Sequence, residues 1–127
     1  MIVAGIGCRR GTLAEDVVNL IHTVLAGFDI GREKLDAIAT ETSKADENGI
    51  KDAARCLSVR LIGCPIGDLE QMADKVMTRS SRVQALKGIP SIAEASALVA
   101  AGRNARLLGA RVADDKVTCA IAIGEGP

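Results

Sequence analysis

The chain has 127 residues, 48% of them hydrophobic and 25% charged, with 16 basic side chains balanced by 16 acidic ones. A neutral chain whose only aromatic residue is Phe28 lacks both the basic excess of a duplex binder and the stacking rings of a single-strand binder, which argues against nucleic acid. No apolar run approaches the roughly 18 residues of a membrane span and no charged leader precedes Ile2, so the chain reads as one cytoplasmic domain over residues 1–127.

The apolar, β-branched run that opens at Ile2 predicts a buried strand. Gly7, Cys8, Arg9, Arg10 and Gly11 predict a tight loop, and Thr12 with Glu15 three residues on predicts a capping box at a helix start. Leu13, Val17, Leu20, Ile21, Val24 and Phe28 recur at helical spacing, Gly27 ends the helix, and His22 falls on its solvated flank. After a turn capped by Asp29, residues 35–40 predict a second strand. The polar loop 40–47 carries a second capping box, Ser43 with Asp46, ahead of a helix whose inner side holds Ile50, Ala53, Ala54 and Leu57. Residues 59–62 predict a third strand, and the turn through Gly63 and Gly67 leads to Asp68, the expected cap of a helix marked by Leu69, Met72 and Val76. Residues 78–90 read as a loop with at most one helical turn, a length that is often functional. A third capping box, Ser91 with Glu94, opens an alanine-rich helix that stops at Gly102, and residues 105–112 and 116–123 predict an antiparallel hairpin.

This order predicts a three-layer α/β/α sandwich with a mostly parallel five-stranded sheet and an antiparallel edge strand from the C-terminal hairpin. That edge would let two copies of the chain pair as a homodimer. The crossovers place loops 7–12, 40–47 and 63–68 on one rim of the sheet, where open α/β sheets bind ligands.

Cys8, Cys56, Cys64 and Cys119 make no C-x-x-C pair and no zinc spacing, and His22 is the only histidine, so neither disulfide, metal nor cofactor is expected. Gly5-x-Gly7-x-x-x-Gly11 has one residue too many for a dinucleotide fingerprint. Arg9 and Arg10 stand where backbone amides and a helix dipole converge, a setting for an acidic ligand, with solvated loop charges as the alternative. Gly7, Gly11, Thr12 and Lys44 belong to the same candidate binding site. Cys8, beside two arginines and a helix start, is a candidate nucleophile with a favoured thiolate, or else a small loop filler. Asp46 and Glu47 are candidate catalytic acid and base, or else partners of a helix dipole.

Three segments carry a resemblance: Gly5-Ile6-Gly7-Cys8-Arg9-Arg10-Gly11, then Thr42-Ser43-Lys44-Ala45-Asp46-Glu47-Asn48-Gly49, then the serine-containing loop leading to Gly88-Ile89-Pro90-Ser91-Ile92-Ala93-Glu94-Ala95. In this order they resemble the CobE family, which is also the C-terminal domain of CbiG in cobalamin biosynthesis. The resemblance implies a precorrin-type tetrapyrrole as ligand and adds Thr42 and Ser81 to the residues that meet it. Such macrocycles are rimmed by acetate and propionate carboxylates, which suits Arg9, Arg10 and Lys44. It implies three activities: binding or passing on an intermediate, opening the ring-contraction lactone with loss of a two-carbon fragment as a hydrolase or lyase, or docking on a precorrin methyltransferase.

Overall fold

The computed structural model describes residues 1–78, 89 and 91–126. In chain order these form β1 (Ile2–Cys8), α1 (Ala14–Gly27), β2 (Ala37–Glu41), α2 (Asn48–Leu57), β3 (Arg60–Cys64), α3 (Ile66–Gln71), α4 (Ile92–Ala101), β4 (Arg106–Leu107), β5 (Val112–Ala113) and β6 (Val117–Ile123). The sheet runs β3-β2-β1-β6-β4, and β5 also pairs with β6. Strands β1, β2 and β3 are parallel, and β6 is antiparallel to β1, β4 and β5. The α/β sandwich is therefore the expected one, with six strands among the described residues rather than five. The long hairpin strand is interrupted between Leu107 and Val112, and β6 lies inside the sheet instead of at its edge. The reason lies in burial: Val117, Cys119, Ala120, Ile121 and Ala122 are apolar on both faces, as an interior strand requires, whereas the two residues of β5 are exposed.

Alternation along the strands gives the sheet two unlike faces. One presents Ala4, Ile6, Ile38, Val117, Cys119 and Ile121 to the large aliphatic side chains of α1 and α2, among them Val17, Ile21, Leu25 and Ile50. The other presents Val3, Ala37, Ala39 and Ala122 to α3 and to the alanines of α4. Small faces small there, so α4 sits close: a Cβ built on Gly5 would lie 1.9 Å from the Ala93 carbonyl oxygen and 2.7 Å from the Ala97 nitrogen. Ser96, also buried, turns its hydroxyl back on the Ile92 carbonyl at 2.7 Å.

The capping expectations fare unevenly. Ser91 Oγ accepts from the Glu94 amide at 3.2 Å, as expected of an N-cap. At α1 the N-cap residue is Leu13, not Thr12; the Thr12 hydroxyl donates instead to the Arg9 carbonyl at 2.7 Å, and Leu13 is exposed rather than part of the apolar face. Ser43 caps no helix either. It lies in a single 3-10 turn, Thr42–Lys44, where its amide donates to the Glu41 carboxylate at 2.9 Å, and α2 starts later with Glu47 at its N-cap. Helix α3 begins at Ile66 after Pro65, so Asp68 lies in its first turn rather than ahead of it. At Thr12 and Ser43 a loop hydrogen bond takes the place of the local helix cap.

Candidate functional site

Helices α1, α2 and α3 each begin just after a parallel strand ends, so their N-termini open on the rim formed by the carboxyl ends of β1, β2 and β3. Helix α4 points the same way: Ala93 and Ala97 lie over Gly5, and the Ala101 carbonyl lies against Gly124 at the far end of the sheet. The three loops of interest meet on this rim. The Gly11 amide donates to Glu47 Oε1 at 3.2 Å. A Cβ on Gly49 would stand 1.9 Å from the Thr12 carbonyl oxygen, and one on Gly63 would stand 3.4 Å from the Thr42 Cα. Beneath them the buried Thr40 hydroxyl donates to the Ile6 carbonyl at 2.8 Å, tying β2 to β1 where both strands end.

Between the N-termini of α1 and α2 lies an open cavity of about 300 Å³, walled by Gly11, Thr12, Glu47, Asn48, Gly49 and Asp52 among others. Its side chains bring two carboxylates and no basic group. Arg9 and Arg10 stand outside it, exposed, on the turn that continues its wall. That turn is anchored at both ends: the Arg9 amide donates to the Lys116 carbonyl at 3.2 Å, and Thr12 returns its amide and its hydroxyl to the Arg9 carbonyl. Gly11 closes it at φ +80°, a backbone state that glycine adopts without strain.

Residues 2–122 match the family described as Cobalamin synthesis G C-terminus. The chain belongs to that family. It is 33% identical over 121 residues to Protein CobE of Sinorhizobium sp., covering 95% of this chain and 79% of the relative. The crystal structure of CobE, a protein from the cobalamin (vitamin B12) biosynthetic pathway, superposes with a TM-score of 0.91 at 32% identity, over 100% of this chain and 92% of that one. The cobalamin biosynthesis protein chiG from Agrobacterium tumefaciens str. C58 gives a TM-score of 0.78 at 37% identity, covering 98% and 99%. A cobalamin biosynthesis protein G homologue from Sulfolobus solfataricus gives 0.72 at 25% identity, covering 98% of this chain and 37% of that one. The protein is thus a cobalamin biosynthesis protein of the CobE and CbiG type.

Within this CbiG C-terminal fold, Cys8 is the last residue of β1 and packs half-buried against the α1–α2 side of the core. Its thiol departs from the expected activation. Burial pushes the pKa up; the positive charge of Lys44 and a hydrogen bond with Thr12 pull it down, Glu47 adds to the rise, and the net direction is upward. Lys44, not either arginine, is the cation that bears on the thiol, and on balance the setting disfavours the thiolate. Glu47 is partly buried and uses its carboxylate on the Gly11 amide, whereas Asp46, Thr42, Arg9 and Arg10 are exposed and Lys44 is intermediate. Gly7 lies opposite Thr118, with no atom nearer its missing Cβ than Thr118 Cβ at 3.9 Å. Ser81 lies outside the described residues.

Sequence reasoning passed over Gly49, Asn48 and Asp52, which complete the cavity. One signal was available: a glycine in the first turn of a helix costs stability unless another backbone must come close, and here Thr12 does. No helix of the described residues is long and apolar enough to cross a membrane, and these residues hold no cluster of metal-ligating side chains.

The thiols should react in the order that exposure and burial set. At pH 7.5 iodoacetamide is expected to modify exposed Cys56 first and Cys8 more slowly. Burial pushes Cys64 up to about 11 and Cys119 up to about 12, so both should react only on unfolding. Mass mapping that finds Cys8 modified ahead of Cys56 would contradict this electrostatic picture.

Proposed function

We propose that this protein binds a precorrin-type tetrapyrrole across the rim and holds or passes on the intermediate without breaking a bond in it. The reading rests on one observation above the others: two adjacent, exposed arginines project from a turn pinned at both ends, beside helix N-termini. Pinning lowers the entropy lost when guanidinium groups engage a carboxylate, and the fork geometry suits paired oxygens. A cavity of about 300 Å³ is too small for the macrocycle, so the ring would lie over the rim with its carboxylate arms on Arg9, Arg10 and Lys44.

The arginine turn has an acidic neighbour: the Arg9 amide rests on the Lys116 carbonyl, and Asp16, Asp114, Asp115 and Lys116 form a mostly acidic recess there, in which Lys116 Nζ already lies 3.8 Å from Asp16. A polycarboxylate is repelled by that recess and would engage Arg9 and Arg10 on their other side. A carrier also accords with the chemistry of the named residues, since the setting of Cys8 disfavours its thiolate and Glu47 accepts from a backbone amide.

Titration of the protein with hydrogenobyrinic acid is expected to shift the absorbance of the corrin. The double substitution Arg9→Ala and Arg10→Ala should weaken binding by roughly tenfold or more, the scale of one or two lost charge-assisted hydrogen bonds. The affinity should also fall as salt rises. Equal binding by the two forms would remove the arginines from the site. A change in the mass of the recovered corrin would favour the hydrolase or lyase reading instead.

A further inference from the structure

We propose that Glu47 is a positioning residue for the arginine turn: by reaching from the start of α2 to the Gly11 amide, its carboxylate fixes the direction in which Arg9 and Arg10 leave the rim. This rests on the tetrapyrrole-binding reading above and assigns Glu47 a place in it other than acid or base. Glu47 occupies the N-cap position of α2, yet its side chain makes no capping bond to its own helix. It crosses to the neighbouring loop instead and accepts from Gly11 at 3.2 Å.

A second contact makes the crossing specific. Gly49, two residues on, admits the Thr12 carbonyl oxygen to a place only 1.9 Å from where a Cβ would stand. The loop is thus held against α2 at Gly11 and at Thr12, and against the β5–β6 turn through the Arg9 amide. Arg9 and Arg10 lie between these fixed points. Loss of the Gly11 contact frees the residue at φ +80°, the one place where this turn can swing cheaply.

The alternative is that Glu47 merely occupies an anion site that a ligand carboxylate takes over. Asp52 in the same cavity speaks against this, because vacating Glu47 would leave an incoming anion facing another carboxylate and no basic side chain. Anions are therefore directed outward, to the arginines, and Glu47 stays in place when the ligand binds.

Three variants separate reach from charge. Glu47→Gln retains an oxygen at the same distance, Glu47→Asp retains the charge but is one methylene too short, and Glu47→Ala retains neither. Hydrogenobyrinic acid should bind Glu47→Gln within about twofold of the unmodified protein, and Glu47→Asp and Glu47→Ala about tenfold more weakly. In Glu47→Ala the further change Arg9→Ala should cost less than it does alone, since the guanidinium has already lost its direction. Amide exchange at Gly11 should quicken in Glu47→Asp and Glu47→Ala and stay unchanged in Glu47→Gln.

Tighter binding by Glu47→Ala would overturn the proposal and make Glu47 a mere occupant of the site. Additive effects of Glu47→Ala and Arg9→Ala would overturn it as well. If the unmodified protein binds no corrin, the tetrapyrrole reading fails by itself. The exchange rates at Gly11 then still decide whether Glu47 fixes the turn.

Discussion

Glu94→Gln should unfold at a markedly lower urea concentration than the unmodified protein at pH 7, with a loss of roughly 1.5 to 3 kcal/mol, the range for hydrogen bonds to a charged group. Glu94 is fully buried on the first turn of α4, and its partners among the described residues include no cation. Its Oε1 accepts from the Met77 amide at 2.5 Å and the Thr78 amide at 3.0 Å. Its Oε2 accepts from the Thr78 hydroxyl and, at 2.9 Å, from the Arg111 amide. Each of these described partners is a donor, so a glutamine must turn its own donor toward one of these pairs whichever way it flips. The carboxylate thereby clips the chain after α3 and the turn before β5 to the start of α4.

The same residue sets a pH dependence with a definite sign. Burial would raise the carboxyl, but the Thr78 hydroxyl and the amides of Arg111, Thr78 and Met77 outweigh it and hold the pKa below the ordinary value of 4.5. A group with a depressed folded-state pKa contributes stability that is fully present above the unfolded value. That contribution fades as pH falls from about 4.5 through the lower folded value. The gap in stability between the unmodified protein and Glu94→Gln should therefore be constant from pH 7 to about 5.5 and narrow below about 4.5. A gap independent of pH down to 3 would mean that the native carboxylate gains nothing from its four donors.

Gly5→Ala should be at least as damaging, at about 3 kcal/mol or more, the upper end of overpacking costs. By thermal unfolding that is on the order of 10 °C. The new methyl group would meet main-chain atoms of α4 at 1.9 and 2.7 Å, and backbone cannot rotate aside as a side chain can. The helix must lift from β1, and the small-on-small face opens along its length. Gly27→Ala is the control: its Cβ would meet nothing within 4 Å, and the change should be neutral or stabilising by under about 1 kcal/mol. Equal melting temperatures for the two variants would show that α4 does not sit this close to the sheet.

Much of this molecule is written in local pattern. The β-branched run from Ile2, the helical spacing of Val17, Leu20, Ile21 and Val24, the alanines after Ser91 and the stop at Gly102 each describe an element that forms where they predict it. The segments around Arg9 and Glu47 were specific enough to indicate the family that the comparison of residues 2–122 establishes. Burial on one face leaves a period of 2 or 3.6 residues in a sequence, and that period survives without knowledge of the partner.

What the sequence left undecided is partly a choice among near neighbours and partly a matter of partners distant along the chain. Thr12 and Ser43 look like helix caps, and in isolation they satisfy the rule for one; the Arg9 carbonyl three residues back and the Glu41 carboxylate two residues back claim them instead. Cys8 looks like an activated thiol beside two arginines, but burial against the core and Glu47 from the next loop reverse the sign. Glu94 reads as one half of a capping box and proves to tie together segments 16 to 17 residues away on either side. Side-chain periodicity marked most of the residues that lie inside, with Leu13 the exception; hydrogen-bond partners and local dielectric depend on how the loops settle and which of them are brought together, and only the folded sheet decided that.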